Sequence, residues 1–215
     1  MLLDLVKAKT KDAAGQLTDD ADFNPAINAA LERYSKHRPL KVPEDLAGNA
    51  SHDLDPPEFF AADSSRILSV EYPVGNVPAT LLAANTWSLY RYPGGIKLRL
   101  LDVTPAADEI VRVVYTVQRR EGDIPEGDAD AVACLAASIC LANLAALAGQ
   151  TSDPTIQADV VNKQSKTDEF RRLATFWEER YNSHVGIDPK GGAVGASATA
   201  APAKRARGRE RLTHR

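Results

Sequence analysis

Lys204, Arg205, Arg207, Arg209, Arg211 and Arg215 crowd six cations into the last twelve residues of the chain, with Glu210 the only acid among them. Such a cluster can neutralise phosphates in a sequence-independent, salt-sensitive way, or it can order itself on an acidic protein surface. A solvated tail that only aids solubility is the third reading. No aromatic residue interleaves the arginines, which weighs against base stacking on a single strand. Residues 191–203, rich in Gly and Ala, cannot bury enough apolar surface to offset their ordering entropy, so residues 190–215 read as a flexible basic tail.

Other groups with chemical potential are scattered. His37, His52, His184 and His214 lie far apart, and none has a neighbour at metal-ligand spacing, so no metal site is expected. Asp19, Asp20 and Asp22 resemble a cation cluster, but the oxygen spacing of a calcium loop is missing and a solvated helix start explains them better. The chain has no phosphate loop, nucleophile elbow or dinucleotide fingerprint. No catalytic residue and no cofactor are expected, and the chain reads as no enzyme. Cys134 and Cys140, six apart in an apolar stretch, read as small buried groups in a reduced compartment. The first residues carry an early acid and no long apolar run, so no secretory signal is expected.

The whole chain of 215 residues balances 26 basic against 29 acidic side chains, a net charge of −3. That balance is uneven. Residues 190–215 hold seven basic residues and one acid, and the remaining 19 basic and 28 acidic residues leave residues 1–189 at −9. A hydrophobic content of 44% supports a real core and excludes collagen-like and wholly disordered classes.

The positioning elements follow from periodicity. Leu2, Leu3, Leu5 and Val6 make a short amphipathic start, and Gly15 breaks it. Phe23, Ile27, Ala30, Leu31 and Tyr34 predict a helix over about 20–37, with Thr18 and Asp19 able to cap it and Pro25 tolerable only near its beginning. Residues 39–63, with four prolines and few apolar side chains, read as a long loop. Period-two runs at 67–72, 87–92, 96–101 and 110–117 predict one small antiparallel sheet, with Pro93 and Gly94 in a hairpin turn. Residues 131–148 are uncharged. Their many alanines, with Ser138 and Asn143 and no basic flank, favour a helix buried in a bundle or subunit interface, closed by Gly149, over a membrane span. A final helix carries Phe170, Leu173, Ala174, Trp177 and Tyr181 on one stripe, capped by Ser165 or Thr167 and ended by Gly186; residues 155–164 stay open between helix and loop. Trp87, Tyr90, Trp177 and Tyr181 read as core aromatics.

The predicted fold is α+β, mainly α: a helical bundle from 1–63 and 121–189, an inserted β-rich region at 64–120, and the tail 190–215. Leu135, Ile139, Leu144, Phe170, Trp177 and Tyr181 are its candidate bundle or subunit packing residues.

Taken in order, several stretches look familiar. The run Ala30, Leu31, Glu32, Arg33, Tyr34, Ser35, Lys36, His37, Arg38, Pro39, then Val70, Glu71, Tyr72, Pro73, resembles the head-to-tail adaptor (connector) proteins of tailed bacteriophages. So do Val114-Tyr115-Thr116, Asp123-Ile124-Pro125, Ala136-Ala137-Ser138, residues 153–159, residues 165–169 and Tyr181, and together these span about 2–186. The resemblance implies a ring of twelve copies beneath the portal of a filled capsid. It further implies a channel for genomic DNA, a stopper or tail-completion protein below, a virion-neck location after assembly in the host cytoplasm, and no membrane partner. It also makes the basic tail a candidate arm onto the portal protein. The alternative is a DNA-binding module whose Arg-rich tail carries the activity.

Residues 12–63 hold eleven acids against four basic residues. If part of that surface faces the channel, like-charge repulsion keeps passing DNA from sticking, which makes Asp19, Asp20, Asp22, Glu44 and Asp45 candidate channel-facing acids.

Overall fold

Leu2, Val6 and Thr10 recur every fourth residue of helix α1 (Leu2–Thr10) and are buried together, with the Thr10 hydroxyl donating back to the Val6 carbonyl at 2.8 Å. The computed structural model describes residues 2–11, 17, 20–150, 157–188 and 192–193. Helix α2 (Asp20–His37) buries Phe23, Ile27, Ala30, Leu31 and Tyr34 on one stripe. Pro25 sits early in α2, where it removes one intrahelical bond without ending the helix.

Helix α3 (Glu126–Gln150) buries every residue from 131 to 138. Alanines at half of these positions let neighbouring helices approach on several sides. The helix is long and apolar enough to cross a bilayer, yet 67% of that apolar segment is buried within the fold. It runs through Gly149 to Gln150, so Gly149 does not cap it as the sequence suggested. Helix α4 (Gln157–Val185) starts well before the expected caps, which leaves Ser165 and Thr167 inside it. Gly186, at φ 78°, takes the left-handed conformation that stops α4. The four helices share one core, in which Cys134 and Cys140 are free and buried.

The β-rich part differs from the single sheet expected. It holds two three-stranded antiparallel sheets. In one, β6 (Ile110–Val117) lies between β1 (Leu40–Ala47) and β3 (Ile67–Glu71); in the other, β5 (Gly95–Leu100) lies between β2 (Asp53–Leu54) and β4 (Trp87–Tyr92). Val70, Val111 and Val113 from the first pack with Leu54, Leu98 and Leu100 from the second, a core separate from that of the helices. The stretch 39–63, read as loop, therefore supplies two strands. Pro43 is tolerated in β1 because β1 is an edge strand, with β6 on one side only. The β4–β5 turn forms as expected, with Tyr92 opposite Gly95 and Gly95 at φ 141°. A short pairing of β7 (Ile187–Asp188) with β8 (Gly192–Ala193) follows α4. The protein is thus an α+β fold of two bodies, a helical bundle and a small β-sandwich.

Arg119, just after β6, joins the two bodies. Its side chain donates to the carbonyls of Arg38 at 2.8 Å and Asp123 at 2.6 Å and lies over the Tyr34 ring, while its backbone N–H donates to the Ser35 hydroxyl at 2.9 Å.

Candidate functional site

Asp128, in the first turn of α3, gathers three other side chains around one buried carboxylate. Its carboxylate accepts the Tyr34 hydroxyl from α2, and Nη1 of Arg38 lies 2.9 Å from each of its oxygens. Nε2 of His184, in the last turn of α4, lies 2.7 Å from Oδ1. Arg38 also donates to the His184 carbonyl at 3.3 Å. Beside this hub, the Tyr181 hydroxyl and Nδ1 of His37 are 2.7 Å apart.

Burial opposes ionisation of Asp128, but Tyr34, His184 and Arg38 outweigh it and hold the carboxyl at about 2. Burial, and then the Asp128 carboxylate, push the Tyr34 phenol up to about 12. Burial also raises Tyr181, and burial with the Arg33 charge lowers His37. An aspartate, two histidines and two tyrosines are a set that could do acid–base chemistry. Three surface grooves of about 910, 720 and 520 Å³, however, have none of these side chains in their walls. A carboxylate ionised at neutral pH and satisfied by three partners ties together the ends of α2, α3 and α4. The histidines stood out in the sequence, but their partners lie more than fifty residues away, so no local spacing announced the hub.

The candidate channel acids do not form one patch. Asp20 and Asp22 are exposed at the start of α2, where Asp20 lies 2.8 Å from Nζ of Lys7; Asp19 falls outside the described residues. Glu44 and Asp45 are on β1 in the other body, and as neighbours in a strand they point to opposite faces. Glu44 accepts the Tyr115 hydroxyl at 2.8 Å, which with burial lifts that phenol to about 12. Asp45 pairs with Arg112 through two bonds of 2.7 and 2.9 Å, and this partner holds its carboxyl below the ordinary range.

Among the packing candidates, Leu135, Leu144 and Tyr181 are fully buried, while Ile139, Phe170 and Trp177 are half-buried. Lys204, Arg205, Arg207, Arg209, Arg211 and Arg215 lie outside the described residues. Tyr90, expected in the core, is instead 41% exposed on the outer face of β4, stacked on Tyr92 and covered by the Arg99 guanidinium at 3.6 Å. Among the described residues no three His, Cys, Asp or Glu side chains gather as a metal-binding group.

Large apolar side chains also remain outside both cores. Leu147 on α3 and Leu173 and Phe176 on α4 are 46%, 39% and 51% exposed, and Phe59 in the β-rich body is 59% exposed.

The fold and these surfaces define an α+β protein with two cores and a buried ionic lock. No family model matches the chain, and no curated protein matches it. Two solved structures to which it is similar are described as the neck of a native GTA particle computed with C12 symmetry and the virion of a native gene transfer agent (GTA) particle. The first is 16% identical and covers 79% of this chain and 90% of its own, at a TM-score of 0.28. The second is 15% identical and covers 79% and 88%, also at 0.28.

Proposed function

We propose that this chain is a head-to-tail adaptor of a tailed phage or phage-like particle, a structural subunit that assembles into a ring under the portal and leaves a channel for DNA. The observation that carries the reading is the ordered set of adaptor-like stretches across about residues 2–186. The physical character of the fold supports it: α3 is apolar around its whole circumference, and large apolar side chains on α4 and in the β-rich body are left for neighbours. The function is assembly, with no turnover. Portal protein sits on one side of the ring and a stopper or tail-completion protein on the other, with the tail 190–215 reaching to the portal.

Of the acids considered for the channel wall, Asp20 and Asp22 are exposed at the start of α2, whereas Glu44 is half-buried against Tyr115. Electron microscopy of the purified protein, alone and mixed with portal, tests the proposal. Twelve-fold rings seated on portals are expected, and a chain that stays monomeric in the presence of portal overturns it.

A further inference from the structure

Residues 55–63 form a turn whose base is fixed and whose tip is bare. The Glu44 carboxylate accepts the backbone N–H of Glu58 at 2.9 Å, Phe60 N–H donates to the Pro57 carbonyl at 3.0 Å, and the Phe60 ring lies 6.1 Å from that of Tyr115. Pro57 is buried beneath them. Phe59, at the apex, is turned out to solvent. Glu58 precedes it and Asp63 follows it on the turn, Asp55 is paired with Lys97, and residues 55–63 contain no basic residue. The Asp63 side chain is 96% exposed, and its nearest cation, Arg91, is 3.9 Å away. An aromatic ring held out on a pre-formed acidic turn needs little further ordering to bind, which is the character of an interface anchor.

The other body of the same chain carries a matching recess. Between α3 and α4 lies a groove of about 520 Å³, lined by Ser138, Ile139, Ala142 and Ala146 and flanked by Arg33 and Arg171. The small side chains leave depth for a ring. Arg33 pairs with Glu178 at 2.7 Å, whereas Arg171, 71% exposed, has Asp168 no closer than 3.9 Å. The recess is thus floored by small side chains, with Thr175 and Glu178 also in its wall and the Arg171 guanidinium at its rim, so it suits the Phe59 turn in depth and, at that rim, in charge. The same arginines disfavour the basic tail as its occupant.

We propose that Phe59 of one copy seats in the α3–α4 groove of the next copy, with Glu58 and Asp63 facing Arg171 and Arg33. Knob and recess are different patches, so the contact is heterologous, the kind that builds a ring when its rotation returns to the starting copy. The inference rests on the ring reading above and supplies its lateral contact.

The test uses full-length chains carrying Ala61→Cys, exposed beside Phe59 on the same turn, or Ala142→Cys, mixed and treated with a short bismaleimide; the natural cysteines are buried and do not compete. Cross-linked pairs are expected in the mixture and in neither variant alone. Phe59→Ser and Glu58→Arg should each weaken assembly about tenfold or more, with helix content unchanged by circular dichroism, and Glu58→Arg combined with Arg171→Glu should recover it. If the wild type forms rings but the mixed thiols never couple, this contact is wrong and the ring stands. If neither rings nor cross-links form, both readings fall. Cross-linked open chains support the contact and remove ring closure, and an Ala142→Cys chain that couples only to portal subunits assigns the groove to another protein and overturns the proposal.

Discussion

Nε2 of His184 stands 2.7 Å from Oδ1 of Asp128, tying the last turn of α4 to the first turn of α3. The carboxyl is held at about 2 in the fold and titrates near 4 in the unfolded chain. A depressed carboxyl stabilises the fold above its unfolded value and loses that contribution as pH falls toward its folded one. Asp128→Asn should therefore cost about 2 kcal/mol at neutral pH, and the gap to wild type should close between roughly pH 4 and pH 2. Urea denaturation of both proteins across that range checks it, and a gap that stays constant would sink the account.

Tyr34 gives the alkaline counterpart. Its phenol is raised to about 12, so the stability it contributes is complete below about pH 10 and is lost as pH rises through 12. Absorbance at 295 nm should show a group of tyrosines titrating late, reduced in Tyr34→Phe. That variant should also lose about 2 kcal/mol at neutral pH, because Asp128 forfeits a hydrogen bond to a charged acceptor.

Arg119→Ala should loosen the joint between the two bodies. It removes the donors to the Arg38 and Asp123 carbonyls and leaves both groups to find other partners. A loss of about 2–3 kcal/mol is expected. Hydrogen exchange should rise first at residues 35–39 and 119–124, with the interiors of α3 and β6 still protected; uniform acceleration would argue for a general core effect instead.

Ala137 is fully buried on α3, one turn from Ala133 and Leu141. Replacing it by Leu should destabilise by about 1–3 kcal/mol through overpacking, whereas Ala142→Leu, on the outer side of the helix, should be near neutral for the monomer. Denaturation midpoints decide this directly.

Deleting residues 190–215 separates the roles open to the basic tail. The truncated chain should keep its ring and lose portal attachment. If it instead attaches normally and has lost a steeply salt-dependent affinity for DNA, the tail is a nucleic-acid element.

Helix α2 and strands β4 and β6 were legible because each carries an uninterrupted periodic signal, such as Phe23, Ile27 and Tyr34 on α2 or Val111, Val113 and Tyr115 on β6. Strand β1 was not. Its inward positions are Leu40, Val42, Glu44 and Leu46, and the charge at Glu44 hides the alternation until Tyr115 is seen to satisfy it. The early part of α4 gave no apolar stripe to read. Tyr90 was misplaced because an aromatic at strand spacing fits either face of a sheet, and only the pairing of β4 with β5 sets which face is outer. The packing residues on α3 and α4 were accessible to pattern, whereas the Asp128 hub, the Phe59 turn and the α3–α4 groove exist only through long-range contacts.

Because Arg38 lies between the end of α2 and the start of β1, and His184 is in the last turn of α4, Asp128 ties the exit of α2 and the end of α4 to one point. A shift of either helix end therefore has to part the same carboxylate from one of its partners.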